Sequence, residues 1–393
     1  MTPLRVVLVT RRFWPLLGGA EMAMSNLAAA LHEAGHQVTL LTACWHPDWP
    51  KEIFHRGVRV IRLPQSQRRL WGTLGYMRRL RLWLLRHRRE FDLVYVSMLK
   101  HEAFVAVRAG SKGGFPVVLR AEGGGQTGDA AWHTKSRGGS WIRRRCQQAS
   151  AVVAPSLAIQ HELAAAGFPQ DRLRYIPNGV AAAPAPNFER RLQARAALGT
   201  AHPILSLSTN TQLVVCVGRL SAEKGLFALV DAWSKVASGR ANVRLWLVGA
   251  GPMRDELARY IEQLHLRGRC VLVGSFDSVD DLLAAAELFV LPSYEEGMSL
   301  ALLEAMAAGL PIVASDIPGN RAVVTDGQHG MLVKPGQPGE LAAAINKLLD
   351  DRDLANHYGS AARKRVEQHF SLQAMLDKHV ALFNSLLTDK PST

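Results

Sequence analysis

Short apolar runs alternate with longer helix-like segments along nearly the whole chain of 393 residues. A short apolar run bounded by glycine, proline or polar residues is typical of a strand that is buried on both faces. The predicted strands are 5–9, 37–41, 58–63, 93–96, 117–119, 151–154 and 173–176 in the first half, and 213–217, 243–248, 270–273, 288–291, 311–314 and 330–333 in the second. Their alternation with helices predicts parallel sheets that are covered by helices on both sides.

A stretch rich in proline and alanine, 180–187, separates the two groups of strands and predicts a hinge linker. The chain is long enough for two domains that each have a full core. The predicted fold class is therefore α/β, with two Rossmann-like doubly wound domains, 1–180 and 181–370, facing each other across a cleft. The segment 371–393 carries an apolar stripe at helical spacing, which fits a terminal helix that caps its own domain.

The positive charge of the chain is confined to its first half. Residues 1–179 contain 26 Lys and Arg against 11 Asp and Glu, whereas the remainder contains 21 and 22. Such an excess of cations would attract an anionic membrane surface, a lipid-linked phosphate or nucleic acid.

The four cysteines, Cys44, Cys146, Cys216 and Cys270, are far apart in the sequence. Their spacing favours neither a disulfide framework nor a zinc site, and it fits a reducing cytoplasm. The apolar run at the start is too short for a signal peptide, and no run is long enough to span a bilayer. We therefore expect a cytoplasmic protein without a zinc site.

Two glutamates, Glu296 and Glu304, lie eight positions apart across a predicted junction between a loop and a helix. The helix is predicted to begin near Ser299 and to stop at 309–311, Gly-Leu-Pro. Eight helical residues span roughly 12 Å, which suits the distance between the two ends of a sugar nucleotide. Free backbone N–H groups between the glutamates would suit the diphosphate.

A basic element follows the predicted strand 213–217. Gly218 would allow close backbone approach at the end of the strand, while Arg219 and Lys224 present positive charge where an anion would lie. Taken alone, the two cations also fit a surface salt bridge with Glu223.

These motifs resemble, in their order, those of the retaining glycosyltransferases of family 4, which have the GT-B fold. The resemblance is strongest over 212–335, and it rests on the Gly-Arg-x4-Lys-Gly run from Gly218, on 248–252 (Val-Gly-Ala-Gly-Pro), on the spaced glutamates and on 309–314 (Gly-Leu-Pro-Ile-Val-Ala). It implies that Arg219 and Lys224 bind the diphosphate of a nucleotide-sugar donor. It further implies that Glu296 reaches the hydroxyls of the transferred sugar and that Glu304 holds the ribose.

The resemblance also bears on the metal, on the cofactor and on the last helix. Fixed cations lower the barrier where negative charge develops on the leaving diphosphate. Together with the backbone of Gly297, Met298, Ser299 and Leu300, they are expected to replace a divalent ion, and the nucleotide sugar is a co-substrate with no further cofactor.

In similar proteins the last helix returns to the first domain, which implies the same for 371–393.

Gly18 and Gly19 follow the first predicted strand and precede a predicted helix. Glycines there let backbone N–H groups approach an anion or a sugar, although a plain tight turn explains them equally well. The family has a Gly-Gly-x-Glu element at this place, which makes Gly18, Gly19 and Glu21 candidates. Glu21 also fits a helix N-terminus for electrostatic reasons alone.

The chain departs from the family where many members have a histidine near the reacting centre. After strand 117–119 it has Arg120, Ala121 and Glu122, followed by three glycines at 123–125. Glu122 could orient an acceptor hydroxyl, or act as a base if burial raises its pKa. It could equally pair with Arg120 as a structural partner beside a flexible glycine loop.

The segment 67–90 combines eight arginines with leucines and aromatic residues. A helix with this composition fits an interfacial membrane helix, whereas a core stripe of Leu74, Met77, Leu80 and Leu84 fits an ordinary domain helix with solvated arginines. We favour the core stripe for packing and keep membrane contact for the arginines.

The sequence supports one function above two alternatives. The first is a retaining glycosyltransferase that transfers a sugar to a glycan or lipid-linked acceptor in polysaccharide or glycolipid synthesis, at the inner face of the cell membrane. The second is a sugar-nucleotide epimerase, for which Glu122, Asp129 and His133 form a thin set of acid and base groups. The third is a nucleic-acid-binding protein, but basic bias without a recognition motif is a weak signal, so no nucleic-acid partner is predicted.

Overall fold

The computed structural model describes residues 3–16, 18–66 and 69–388. The chain divides into two compact units. One runs to Gly179 and includes the segment from Leu372 onward, and the other is Val180–Ser371. Each unit is a largely parallel sheet covered by helices, so the predicted α/β class with doubly wound sheets is confirmed.

The first unit contains an eight-stranded sheet. Its strands are β1 (Arg5–Val9), β2 (Gln37–Cys44), β3 (Glu52–His55), β4 (Val58–Pro64), β5 (Leu93–Ser97), β6 (Val117–Arg120), β7 (Ala151–Ala154) and β8 (Leu173–Tyr175). They are arranged in the order β3-β4-β2-β1-β5-β6-β7-β8, and only the β3–β4 pair is antiparallel. The order reverses between β1 and β5, which lie side by side at the centre.

Helices cover both faces of this sheet. They are α1 (Gly19–Glu33), α2 (Arg69–Arg86), α3 (His101–Gly113), α4 (Asp129–Lys135), α5 (Gly139–Cys146), α6 (Leu157–Ala165) and the C-terminal α15 (Leu372–Thr388). One core cluster joins the sheet to α2, α3, α5 and α6. The other joins its opposite face to α1 and α15.

The C-terminal helix α15 is anchored in the first unit by a buried polar contact as well as by apolar packing. Leu376 and Phe383 lie in the core cluster with α1. His379 is 2% exposed, and its Nε2 lies 3.0 Å from the hydroxyl of Tyr95 on β5. Burial lowers the pKa of His379 to about 4, so the ring is neutral and accepts the tyrosine hydrogen.

The second unit contains a six-stranded, all-parallel sheet in the order β11-β10-β9-β12-β13-β14. Its strands are β9 (Gln212–Val217), β10 (Val243–Val248), β11 (Cys270–Gly274), β12 (Leu288–Leu291), β13 (Ile312–Ser315) and β14 (Met331–Val333). Its helices are α7 (Phe188–Ala201), α8 (Leu226–Ser238), α9 (Arg254–Gln263), α10 (Asp280–Ala285), α11 (Leu300–Ala307), α12 (Pro318–Arg321), α13 (Pro338–Asp350) and α14 (Arg352–His369). One core cluster joins the sheet to α8, α9 and α13. Because crossovers between parallel strands are right-handed, α10 and α11, which follow the reversal of strand order, are expected on the opposite face.

All thirteen predicted strands form, with small differences at their ends, and the sequence missed one strand. That strand, β3, forms a hairpin with β4 through Arg56 and Gly57, whose φ values are 50° and 79°. Two positive φ angles are typical of a tight hairpin turn. Phe54 of β3 is 72% exposed, so the strand lacks the buried apolar run on which the prediction relied.

The helix predicted within 67–90 forms as α2, and its buried stripe differs in part from the prediction. Tyr76, Leu80 and Leu84 are fully buried, and Met77 packs against the same core. Leu74 is 58% exposed, so its placement in the core stripe was wrong. Arg68 lies outside the described residues. None of the described helices has the length and apolar composition that crossing a bilayer requires.

Candidate functional site

The strand order of the second unit reverses between β9 and β12, which pair directly. In doubly wound sheets, ligands bind outside the carboxyl ends of the strands at such a reversal. Gly218 and Arg219 follow β9 at this edge, and the loop from Pro292 to Glu296 follows β12. The topology thus brings the two most informative sequence motifs to one place.

Lys224 and Glu296 form the central contact of this edge. The Lys224 Nζ donates to the Glu296 Oε1 at 2.6 Å, and the Ser293 hydroxyl donates to the same oxygen at 2.7 Å. The side chain of Glu296 is 8% exposed and that of Lys224 is 19% exposed. A partly buried, hydrogen-bonded pair of this kind holds both groups in one geometry.

Two polar groups beside this pair lack a hydrogen-bond partner among the described residues. Within the described residues, neither the Oε2 of Glu296 nor the guanidinium of Arg219 has a hydrogen-bond partner. Arg219 is exposed. Because Lys224 pairs with Glu296, and no ion pair at contact distance joins Glu223 to either cation within the described residues, the alternative of a surface salt bridge with Glu223 is wrong.

Close packing of loops shapes the floor of this site. Gly225 has a φ of +63°, and a side chain there would collide with the carbonyl of Pro292. Gly249 has a φ of +137°, and a side chain there would collide with the carbonyl of Gly218. Glycine at these positions lets the loops after β9, β10 and β12 lie against one another.

Helix α11 begins beside Glu296 and carries Glu304. Ser299 is its N-cap, and the serine oxygen accepts from the N–H of Leu302 at 3.3 Å. The side chains of Met298 and Leu300 are 6% and 7% exposed, so they can offer a ligand little besides their backbone. Gly297 is half-buried in the loop before the helix.

Glu304 is a half-buried carboxylate without a hydrogen-bond partner among the described residues. Burial, together with the nearby charge of Asp280, raises its pKa to about 7. A carboxylate in this state gains from a ligand that donates hydroxyl hydrogens to it.

In the first unit the corresponding reversal lies between β1 and β5. Gly18 and Gly19 are exposed at the start of α1, and Gly18 is its N-cap. Glu21 is buried. Its carboxylate lies against Gly18, since a Cβ on Gly18 would be 2.7 Å from the Glu21 Oε2.

Glu122 lies in a buried polar network at the ends of β5 and β6. Both of its oxygens accept from the Nη1 of Arg120 at 2.7 Å, and Oε1 also accepts from the Ser97 hydroxyl at 2.6 Å. Arg120 also donates to the amide oxygen of Asn178. Burial raises the pKa of Glu122 to about 7 against the opposing effect of Arg120. The alternative pairing of Glu122 with Arg120 is therefore present, and it fixes the carboxylate in position.

The glycine loop after Glu122 is held by specific hydrogen bonds. The N–H of Gly125 donates to both oxygens of Glu162, at 3.0 and 3.1 Å. Asp129 accepts from the N–H groups of Leu99 and Glu122 at 3.1 and 2.9 Å. These contacts tie down both ends of the glycine run, and the flexibility of 123–125 stays a prediction.

Two of the three groups weighed for an epimerase, Asp129 and His133, are engaged in contacts that hold the fold. Asp129 is 3% exposed and binds two backbone N–H groups. His133 is 2% exposed, and its Nε2 lies 2.6 Å from the carbonyl of Leu99. Neither side chain is free to flank a sugar carbon.

Sequence reasoning missed Ser293, Ser97 and Asn178, each of which positions a candidate group. Ser293 precedes Glu296 by three residues, and its place directly after a buried strand was the one available signal. Ser97 and Asn178 are far in sequence from the side chains they position.

No metal centre is formed by three or more His, Cys, Asp or Glu within residues 3–16, 18–66 and 69–388. The chain has one Asp-x-Asp sequence, at Asp351 and Asp353, and Asp351 caps α14 by accepting from the N–H of Leu354 at 3.0 Å. Independence from metal remains a prediction.

Two solved structures share the architecture of this chain. Anabaena HepE in complex with UDP and glucose has a TM-score of 0.80 at 22% identity, over 97% of this chain and 100% of that chain. Sucrose-phosphate synthase from Thermosynechococcus elongatus has a TM-score of 0.80 at 23% identity, over 98% of this chain and 99% of that chain. The chain therefore has the GT-B fold of these structures.

Two family descriptions match the chain. Glycosyl transferases group 1 matches residues 200–365, and Glycosyltransferase Family 4 matches residues 17–183. Because these matches together span most of the sequence, the chain belongs to the group 1, family 4 glycosyltransferases.

Two curated relatives match over shorter stretches. Alpha-D-kanosaminyltransferase of Streptomyces kanamyceticus is 30% identical over 44% of this chain and 46% of its own length. N-acetyl-alpha-D-glucosaminyl L-malate synthase of Bacillus anthracis is 28% identical over 47% of this chain and 48% of its own length. The matched part therefore spans about half the length of these relatives.

Proposed function

We propose that this protein is a retaining glycosyltransferase. It moves a sugar from a nucleoside diphosphate sugar to a glycan or lipid-linked acceptor in polysaccharide or glycolipid synthesis. The proposal rests on the contact between Lys224 and Glu296 at the strand-order reversal of the second sheet. This contact joins a cation to a carboxylate that can accept hydrogen bonds from sugar hydroxyls.

The positive charges of Arg219 and Lys224 suit the negative charge of the leaving group. Cleavage at the anomeric carbon leaves negative charge on the nucleoside diphosphate, and positive groups fixed there stabilise the transition state. Lys224 uses one N–H for Glu296 and keeps two for phosphate oxygens. The exposed Arg219 supplies a planar set of donors that suits a diphosphate bidentately.

The two glutamates are matched to the hydroxyls at the ends of the donor. Glu296 offers its Oε2 to the transferred sugar, while Ser293 and Lys224 hold its Oε1. Glu304, which has no protein donor among the described residues, offers both oxygens to the ribose. The backbone of Gly297, Met298, Ser299 and Leu300 completes the diphosphate site, and this site works without a metal ion.

The acceptor side of the reaction belongs to the first unit. By the family resemblance, Gly18 and Gly19 offer backbone N–H groups to the donor, and Glu122 receives the proton of the acceptor hydroxyl. A carboxylate with a pKa of about 7 is well suited to a general base at neutral pH. The relatives' names, with kanosaminyl and N-acetylglucosaminyl groups, support a hexose or a related sugar as the transferred group.

Two measurements test this function. A panel of nucleotide sugars is screened for thermal stabilisation, and the donor that raises the melting temperature most is then incubated with and without acceptors. We expect acceptor-dependent release of the nucleoside diphosphate and a product with the donor's anomeric configuration. Conversion of the donor to an isomeric nucleotide sugar without release would instead identify an epimerase.

A further inference from the structure

Three helices of the first unit form a continuous outer layer over one face of the sheet. Helix α3 packs beside both α2 and α5. Phe104 of α3 and Trp141 of α5 have ring centroids 4.1 Å apart, and Leu85 of α2 lies next to Gly113 of α3. Their inward side chains belong to one core cluster, so their outward side chains share one surface.

This surface carries a dense set of cations, and we call it the basic face. Its exposed basic residues are Arg78, Arg79 and Arg86 of α2, Arg108 and Lys112 of α3, and Arg144 of α5. Within the described part of the chain, none of the six forms an ion pair. The three helices contain one acidic residue, Glu102, which is 4% exposed and pairs with Arg11 at 3.0 Å. The basic face therefore presents positive charge without a neutralising carboxylate of its own helices.

Large apolar side chains stand among these cations. Leu74 and Leu82 of α2 are 58% and 53% exposed, and Trp141 of α5 is 59% exposed. On α2, residues 74, 78, 82 and 86 alternate leucine with arginine at a spacing of four, so they lie on one side of the helix. The opposite side of α2 is the fully buried stripe of Tyr76, Leu80 and Leu84. Core packing therefore accounts for the inner stripe and leaves the outer one unexplained.

We propose that the basic face is a docking surface for an anionic phospholipid bilayer. Arginine and lysine bind the headgroups, while Leu74, Leu82 and Trp141 enter the boundary between headgroups and acyl chains. Nucleic acid would match the charge but would provide no place for outward leucines. The biological purpose of docking rests on the proposed function, because docking would bring a glycosyltransferase to a lipid-linked acceptor.

Vesicle co-sedimentation of the full chain tests the proposal directly. The vesicles are phosphatidylcholine alone, or phosphatidylcholine with roughly one third phosphatidylglycerol. We expect binding only to the anionic vesicles, with the bound fraction falling as salt is added. Absence of binding to anionic vesicles at low salt would overturn the proposal.

Two variants separate the electrostatic and the apolar contributions. Combined Arg78→Glu, Arg79→Glu and Arg108→Glu should lower the vesicle partition coefficient at least about tenfold. Combined Leu74→Ser and Leu82→Ser should lower it several-fold while keeping the salt dependence. The matched control, Arg267→Glu, Arg352→Glu and Lys364→Glu, makes the same change in charge at exposed positions of the second unit and should bind as the parent does.

Folding and donor binding are measured on every variant. Melting temperatures within a few degrees of the parent, and unchanged stabilisation by the nucleotide sugar, show that loss of vesicle binding comes from the basic face. If duplex DNA binds with the same dependence on the three arginines while the leucine variant binds vesicles normally, the surface is a nucleic-acid site and the proposal is wrong. Vesicle binding needs no acceptor or turnover, so its failure is distinct from failure of the transferase assay.

Discussion

Lys224 and Glu296 are 72 positions apart in the chain, and their side chains meet at 2.6 Å beyond the carboxyl ends of β9 and β12. Lys224 and Ser293 both donate to the Oε1 of Glu296. This arrangement fixes a cation and a carboxylate next to each other at the site proposed for the donor. A preorganised pair of this kind lowers the reorganisation that the transition state requires.

Replacement of Lys224 should impair the chemical step more than the fold. We expect Lys224→Ala to lower kcat/KM by about 100-fold, because the developing charge on the diphosphate loses a fixed cation. Steady-state nucleotide release measures the change. Lys235→Ala removes an exposed lysine of α8 and serves as the control, with an expected change below about twofold. Parent-like kcat/KM in Lys224→Ala would remove this residue from the diphosphate site.

Donor binding should strengthen as the pH rises through about 7. Burial raises the pKa of Glu304 to about 7, and a protonated carboxyl group offers the ribose hydroxyls a weaker acceptor. We expect the dissociation constant of the nucleotide sugar to be about tenfold larger near pH 6 than near pH 8, measured by calorimetry.

The variant Glu304→Gln should abolish this dependence on pH. Because a raised pKa means that the folded state favours the neutral form, the stabilising contribution of Glu304 is lost as the pH rises through about 7. The amide should therefore also raise the melting temperature at alkaline pH by a few degrees. Glu256→Gln, at an exposed position of α9, should keep the parent's dependence. A flat parent profile would contradict the role given to Glu304.

Glu122→Gln tests the acceptor side. The amide can keep the hydrogen bond from Arg120 but cannot take up a proton, so we expect at least a tenfold loss of kcat with about the parent's affinity for donor. Donor binding and single-turnover transfer are measured in parallel. Near-normal transfer would show that Glu122 has only a structural role.

Arg120→Ala should destabilise the protein more than Glu122→Gln does. Arg120 is 4% exposed, and its removal leaves a buried carboxylate without its cation, at a cost of about 3–5 kcal/mol. Chemical denaturation of the two variants compares the costs. Equal stability of both would mean that solvent reaches Glu122 more freely than its burial indicates.

Acid should loosen the C-terminal helix. The pKa of His379 is lowered by burial to about 4 from an ordinary value of 6.5, so its stabilising effect is present above 6.5 and is lost as the pH falls toward 4. The melting temperature of the parent should fall in this window, and that of His379→Gln should fall less. His357→Gln, on the exposed side of α14, is the control and should follow the parent.

The strands that are buried on both faces could be predicted from their apolar runs, because a strand covered on both sides consists mainly of apolar residues. The strand β3 could not, since Phe54 faces solvent and its pairing depends on the turn at Arg56 and Gly57. Predicted strand ends also placed Gly218 and Glu296 at the edge of the sheet where ligands bind.

The sequence by itself therefore determined the α/β class, the family motifs and the one-sided charge, because these depend on local periodicity and composition. The tertiary structure alone decided that Lys224 pairs with Glu296, that Arg120 holds Glu122, and that Leu74 faces outward among arginines. Such contacts join residues far apart in the chain or depend on which side of a helix is covered. Local sequence carries little information about either, since only the packed fold sets which side chains meet and which stay in water.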